Sequence, residues 1–244
     1  PAAIREFCER VGITKYDSLT DVALLEHCIR DDLNRTSRRA MAVLDPLRVV
    51  IENPQDLPAS VKGVNNPEDP AAGERVIPFG PELFIEREDF AETPPPKYFR
   101  LSPGKAVRLR NAGFLTCTGV EKDAAGKVTT VRGRFDPMEA AVKVKATIHW
   151  VPAQAAKTVE VRLYDRLFNV PEPDGDKDVD FKTHLNPNSL QVVQALVEPS
   201  LAEAQAGDRF QFERIGYFYA EPDSRPGAPV FNRTVTLKDS WKPA

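Results

Sequence analysis

Between Lys97 and Arg110 the chain carries five basic residues, Lys97, Arg100, Lys105, Arg108 and Arg110, and no acidic one. Arg108-Leu109-Arg110 alternates as a strand does, which places both guanidinium groups on one face and Leu109 on the other. Two planar forks side by side suit phosphates or the exposed edges of unstacked bases. Tyr98 and Phe99 interleave the charges and offer stacking surfaces for such bases. A solvated barrel face laced with salt bridges would carry the same residues, so charge alone leaves both readings open. A second basic group is Arg35, Arg38 and Arg39, and a third is spread through Lys127, Arg132, Arg134, Lys143 and Lys145.

No catalytic constellation accompanies them. Asp174-Gly175-Asp176-Lys177-Asp178-Val179-Asp180 alternates carboxylates like the start of a calcium loop. Val179 stands where such a loop needs glycine and Leu185 where it needs Glu, so a solvated acidic loop is the better reading. His27, His149 and His184 lie far apart with no zinc-like spacing, and His149, between Ile148 and Trp150, reads as a packed or hydrogen-bonded ring. There is no G-x-S-x-G, H-E-x-x-H, G-x-x-x-x-G-K-[ST] or G-x-G-x-x-G. Asn34-Arg35-Thr36 and Asn232-Arg233-Thr234 match the glycosylation sequon by chance in a chain without a secretory signal.

The elements that must position the basic residues are mostly strands. The first 36 residues read as helical. Ile4, Phe7, Cys8 and Val11 form one stripe that Gly12 ends, and Leu25, Cys28, Ile29 and Leu33 form another. Ser18 with Asp21, or Thr14 with Asp17, is spaced as a capping box for the second helix. From Ala40 the pattern becomes short apolar runs rich in Val, Ile, Thr and Phe. They are Met41–Leu44, Leu47–Ile51, Arg75–Pro78, Leu83–Glu86, Ala106–Arg110, Phe114–Val120, Val128–Phe135, Val144–Val151, Val159–Phe168, Leu190–Val197, Arg209–Phe212, Gly216–Tyr219 and Val230–Leu237. Asp123-Ala124-Ala125-Gly126 reads as a hairpin connection. Many short strands without intervening helices favour barrels, and some 200 residues of them favour two, with Thr93-Pro94-Pro95-Pro96 as the stiff connector. No internal repeat of fixed period is visible.

Composition narrows the class. The 244 residues hold 41% hydrophobic and 28% charged residues, enough for a buried core. Proline outnumbers glycine 22 to 13, which fits strands and loops better than helices. No apolar run approaches a membrane span, and the charges at Arg5, Glu6, Glu9 and Arg10 are unlike a signal peptide. Three cysteines without C-x-x-C suit a reducing cytosol. The formal net charge of −3 argues against a nucleic-acid partner only if it is evenly spread. It is not: eight carboxylates between Glu68 and Glu92 face only Arg75 and Arg87, and five between Glu172 and Asp180 face Lys177.

Longer strings carry a resemblance. They include Pro1-Ala2-Ala3-Ile4-Arg5-Glu6-Phe7-Cys8, Cys28-Ile29-Arg30-Asp31-Asp32-Leu33-Asn34, Arg39-Ala40-Met41-Ala42-Val43-Leu44-Asp45-Pro46, Val107-Arg108-Leu109-Arg110-Asn111-Ala112 and Val161-Arg162-Leu163-Tyr164-Asp165-Arg166-Leu167-Phe168. Near the end come Glu198-Pro199-Ser200-Leu201, Phe210-Gln211-Phe212-Glu213-Arg214 and Val230-Phe231-Asn232-Arg233-Thr234-Val235. Together they resemble the C-terminal half of the glutaminyl-tRNA synthetase family of class I aminoacyl-tRNA synthetases, over essentially the whole chain.

The resemblance implies a mainly β fold of two Greek-key-like barrels preceded by a short α-helical subdomain. Residues 1–37 would be the helical subdomain next to an absent catalytic core. Residues 38–96 would form the first barrel, completed by parts of 147–168 and 228–241, and 97–227 mainly the second. The family's H-I-G-H and K-M-S-K-S type signatures do not occur here, so ATP and Mg²⁺ are expected of the parent enzyme and no cofactor of this chain. The implied partners are the anticodon loop of tRNA-Gln and the parent's own catalytic domain. A monomeric, cytoplasmic protein with no membrane association is expected. By the same resemblance Arg39 and Gln211 match readers of the middle uracil and Arg100 the reader of the third base, guanine. Arg108 and Arg110 fall at the first base, and Arg214 matches a basic position beside Gln211. Phe99 stands where the family often has a basic residue. A eukaryotic-type glutamyl-tRNA synthetase or a non-enzymatic rRNA-binding barrel protein would share parts of this pattern.

Overall fold

A computed structural model describes residues 1–16, 18–140, 142–225 and 227–238. Helix α1 (Ala2–Val11) ends at Gly12, whose φ of 73° only glycine adopts without strain and whose N–H bonds the Cys8 carbonyl. Helix α2 (Val22–Thr36) starts at Asp21, whose carboxylate accepts from the Ala23 N–H. Asp21 is therefore a cap on its own rather than the far member of a box, and Asp17 lies outside the described residues. The second stripe buries Cys28 and Leu33. The first stays largely open, with Ile4, Cys8 and Val11 exposed. No helix among the described residues is long and apolar enough to cross a membrane.

The strands follow as β1 (Arg38–Ala40), β2 (Ala42–Val43), β3 (Pro46–Ile51), β4 (Ser60–Val64), β5 (Glu74–Pro78), β6 (Glu82–Glu86), β7 (Ala106–Leu109), β8 (Gly113–Lys122) and β9 (Val128–Pro137). Then come β10 (Thr147–Ile148), β11 (Val151–Pro152), β12 (Lys157–Tyr164), β13 (Leu190–Val197), β14 (Arg209–Phe212), β15 (Gly216–Ala220) and β16 (Val230–Thr236). One sheet has the order β10-β7-β8-β9-β3-β6-β11, the other β1-β14-β15-β16-β12-β13-β2, and β4-β5 is a separate hairpin. In each large sheet the two edge strands are neighbours in the chain. β10 and β11 are separated only by His149 and Trp150, and β1 and β2 only by Met41. One extended segment thus pairs with both ends of its sheet, which curls the sheet towards a closed barrel and leaves little edge.

Both barrels have one topology. Five strands a to e in chain order (β3, β6, β7, β8, β9, with the β4-β5 hairpin inserted after the first, or β12, β13, β14, β15, β16) take the spatial order c-d-e-a-b. In both, a pairs with e in parallel and with b antiparallel. The closing segment follows its strands in the first barrel and precedes them in the second. The repeat therefore has no fixed period in the sequence.

This arrangement corrects the expected division. Residues 106–137 belong with 46–86, because β9 lies parallel to β3 while β8 joins β9 to β7. Residues 157–164 and 230–236 pair with 190–220 rather than completing the first barrel. Residues 239–241 lie outside the described residues. Thr93 to Pro96 connects β6 to β7 within one barrel, so it is no inter-barrel linker. The crossings between barrels are 153–156 and the 44–45 step after β2. The hairpin at Asp123 to Gly126 is as expected, with the Asp123 carboxylate accepting from Ala125 and Lys127 N–H groups.

The segment Ala40 to Val43 shows how the barrels share a wall. Ala40 and Ala42 face the second core, Met41 and Val43 the first, and each is 0 or 1% exposed. Period-two alternation with no polar face is what a strand buried on both sides requires. Trp150 packs edge-on to Phe79 at 4.8 Å in the first barrel, and Phe212 stacks on Phe218 at 4.0 Å in the second. Helix α2 lies on the outside of the second barrel, where Leu33 meets Tyr217 and Val235.

Candidate nucleic-acid interface

Strand β7 presents its residues as the alternation predicts. Val107 and Leu109 are fully buried, and Arg108 and Arg110 point outward on the same face. The Arg108 guanidinium lies 5.5 Å over the Phe114 ring, and its side chain has no hydrogen-bond or carboxylate partner among the described residues, although its backbone N–H donates to the Ala146 carbonyl. Arg110 is held at its backbone, donating its N–H to the Ile148 carbonyl (2.9 Å) and accepting from Trp150 Nε1 (2.9 Å). Its Nε sits 2.6 Å from Glu213 Oε2, an ion pair between the first barrel and the second. Glu213 is nearly buried and also lies 3.5 Å from Arg75. Arg75 in turn pairs through Nε and Nη2 with the buried Glu198 at 2.5 and 3.2 Å.

A second acid closes the seam from the other side. Asp89, 0% exposed in the turn after β6, accepts both arms of the Arg214 guanidinium at 2.5 and 2.8 Å. Arg214 takes the left-handed φ of 69° in the turn between β14 and β15, and this bidentate grip opposes the cost of that conformation. Its pKa lies above the usual arginine value because the Asp89 hydrogen bonds and charge outweigh burial, the largest single influence, which acts downward. Arg214 Nη1 also lies 3.1 Å from His149 Nδ1. An arginine can only donate, so Nδ1 accepts and the ring proton sits on Nε2, 3.6 Å from Glu86 Oε1. His149 is thus the packed, hydrogen-bonded ring its surroundings suggested. Arg100 approaches Asp89 through Nε at 3.3 Å and donates Nη1 to the Glu88 carboxylate at 2.8 Å. The cleft beside it, about 370 Å³, is lined by Leu44, Glu86, Glu88, Arg100, His149 and Arg214.

On the second barrel Arg39 and Gln211 are direct partners in the parallel β1–β14 ladder. Gln211 Nε2 donates to the Tyr217 hydroxyl (2.8 Å), which donates to Asn34 Oδ1 (3.1 Å), and Arg39 Nη2 donates to the same oxygen (2.7 Å). Arg39 also donates to the carbonyls of Asn34 and Ser37, closing the C-terminus of α2 with a positive charge. Burial lowers its pKa. Three N–H groups of Arg39 are therefore engaged with the protein.

The six candidates fall into three pairs. Arg108 projects from β7 and Arg110 from the residue just past its end; Arg39 and Gln211 adjoin across the β1–β14 ladder; Arg100 and Arg214 share Asp89. Of the aromatic pair, Phe99 is 51% exposed with Lys145 Nζ 4.7 Å from its ring centre, whereas the Tyr98 hydroxyl is turned back onto the Glu88 carbonyl. Separation of charge along the chain is not separation in space. The acidic stretch from Glu68 to Glu92 supplies partners to Lys62, Arg48, Arg100, Lys122 and Arg214. Sequence reasoning missed Asp89, Glu213, Glu198 and Arg75, whose partners lie more than 100 residues away in all but one pair. In the loop after Asp174, the carboxylates of Asp176 and Asp180 cap backbone N–H groups. Among the described residues no group of three or more His, Cys, Asp or Glu is placed to hold a metal ion.

Two family models match the chain, both described as tRNA synthetases class I (E and Q), anti-codon binding domain, over residues 37–136 and 147–221. The chain is 50% identical to a glutamine–tRNA ligase of Bradyrhizobium diazoefficiens, over 99% of this chain and 44% of the relative. It is 52% identical to one from Ralstonia pickettii, over 99% and 43%, and 49% identical to one from Rhodopirellula baltica, over 99% and 41%. The chain therefore spans less than half the length of these relatives.

Proposed function

Because the chain belongs to the anticodon-binding family of the class I (E and Q) tRNA synthetases, we propose that it reads the anticodon loop of tRNA-Gln as part of a glutamine–tRNA ligase. The observation that carries the reading is the convergence of Arg108 and Arg110 on one outward face with an ion pair from Arg110 to the second barrel, two residues from Gln211. Splayed bases need separate donor sets held by a rigid frame, and two curled, barrel-like sheets with a shared wall supply one. Arg108 and Arg110 hold the first base, Arg39 and Gln211 the middle one, and Arg100 the third. Arg214 acts from behind by fixing Asp89. A guanidinium edge matches the acceptors of guanine, and a carboxamide pairs with uracil as donor and acceptor.

In this reading the whole ligase joins glutamine to tRNA-Gln with ATP and Mg²⁺, handled outside the residues matched here, and this chain alone binds tRNA without charging it. It works as a monomer in the cytoplasm, where a reducing environment suits its three free cysteines. Filter binding to tRNA-Gln transcripts carrying each anticodon substitution tests it. Every substitution should weaken binding, and tRNA-Glu should compete poorly. Equal affinity for all anticodons would exclude base reading, and preference for tRNA-Glu would assign the chain to the glutamyl branch.

A further inference from the structure

We infer that Glu213 is the positioning residue of Arg110, so that a side chain of the second barrel sets how the first barrel reads the first anticodon base. The inference rests on the anticodon reading proposed above. Gln211 and Glu213 are two apart at the end of β14, with Phe210 and Phe212 turned into the core, so both face outward on the side of the seam. Glu213 is tied to the shared wall by its N–H to the Ala40 carbonyl. Its carboxylate reaches across to Arg110 Nε at 2.6 Å, while the rest of the Arg110 side chain stays half exposed. The backbone of Arg110 is already pinned by Ile148 and Trp150. The ion pair therefore restrains the one part still mobile, a long side chain with large rotamer entropy.

Two consequences follow from the chemistry. Restraint before binding lowers the ordering cost when a base arrives and fixes the direction of the Nη edge. Neutralisation leaves the Nη N–H groups as donors but cancels the charge that would attract any phosphate. Arg110 thus recognises an acceptor pattern rather than an anion.

The test is Glu213→Gln in the full 244-residue chain. A purely electrostatic role for Glu213 predicts tighter binding to every transcript, with unchanged ratios between anticodons. The positioning role predicts that discrimination at the first base falls about tenfold while discrimination at the third base is kept. In an Arg110→Ala background, Glu213→Gln should cause no further loss of that ratio. Arg75 retains Glu198 in the variant, which keeps the seam closed. Circular dichroism checks folding, and Glu213→Asp, which keeps charge but not reach, gives the same readout should the Gln variant unfold. First-base discrimination unchanged in either variant would overturn the inference. If Arg110→Ala itself leaves that discrimination intact, the anticodon reading of Arg110 is what fails.

Discussion

Arg214 separates two roles that look alike in sequence. As an RNA contact its loss would weaken binding and spare the fold; as the partner of Asp89 its loss would strand a carboxylate that is 0% exposed. Removing one member of a buried ion pair costs about 3–5 kcal/mol. Arg100 Nε remains 3.3 Å from Asp89 after Arg214→Ala, which places the expected loss at the low end, about 3 kcal/mol. With a urea m-value of about 3 kcal/mol/M, the midpoint should fall by about 1 M. Fluorescence of Trp150, fully buried and bonded to the Arg110 carbonyl, reports the transition. Replacing both partners, Asp89→Leu with Arg214→Met, should recover most of the loss, because it removes the stranded charge along with its partner. A wild-type midpoint for Arg214→Ala combined with weakened tRNA binding would refute the clasp and return Arg214 to the RNA surface.

Arg108→Ala should leave the urea midpoint within about 0.5 kcal/mol of wild type yet weaken transcript binding by about 1–3 kcal/mol, since Arg108 has only the Phe114 ring beside it; isothermal titration against the wild-type transcript decides. Gly113→Ala should destabilise by about 1–3 kcal/mol, because its Cβ would stand 2.5 Å from the Asp136 carbonyl oxygen; thermal melting measures it. Burial, with the Asp89 charge, pushes the Tyr98 hydroxyl from 10 up to about 12. The folded state then holds that proton more tightly than the unfolded chain, so the stability it contributes is intact below pH 10 and is lost towards pH 12. Tyr98→Phe should flatten the fall of the urea midpoint across that window, and an unchanged slope would count against the assignment.

Local physics made much of the fold readable. Gly12 and the spacing of Leu25, Cys28, Ile29 and Leu33 mark both helices, and runs of Val, Ile, Thr and Phe mark most strands. Strand β4 escapes because Ser60-Val61-Lys62-Gly63-Val64 buries only Val61 and Gly63, and a Cβ at Gly63 would press on Arg75 and Ile77 at 3.0 Å. The run Val144 to Val151 reads as one strand but divides at His149 and Trp150 to serve two sheet edges. The parallel contacts β3–β9 and β12–β16 carry no hairpin signal, so local sequence does not show which strands share a barrel. At the site, residue types announce the guanidinium groups. The acids that hold them are invisible, since Asp89 and Arg214 are 125 residues apart and Arg75 and Glu198 are 123 apart.

The net charge of −3 acquires a structural meaning from these pairs. Of the five basic residues between Lys97 and Arg110, Arg100 and Arg110 are matched by carboxylates of the seam, while Lys97, Lys105 and Arg108 have none within ion-pair distance among the described residues. An unpaired cation binds any phosphate and loses its grip as salt rises. A paired guanidinium has lost its long-range attraction but keeps N–H groups in a fixed plane, so it contributes only when an acceptor meets it at the right distance and angle. The buried acids therefore do not oppose the nucleic-acid role. On the anticodon reading proposed above they divide it: the open cations Lys97, Lys105 and Arg108 supply the attraction, with Arg108 also meeting the first base, while Arg100 and Arg110, neutralised and aimed by the barrel seam, supply angular discrimination.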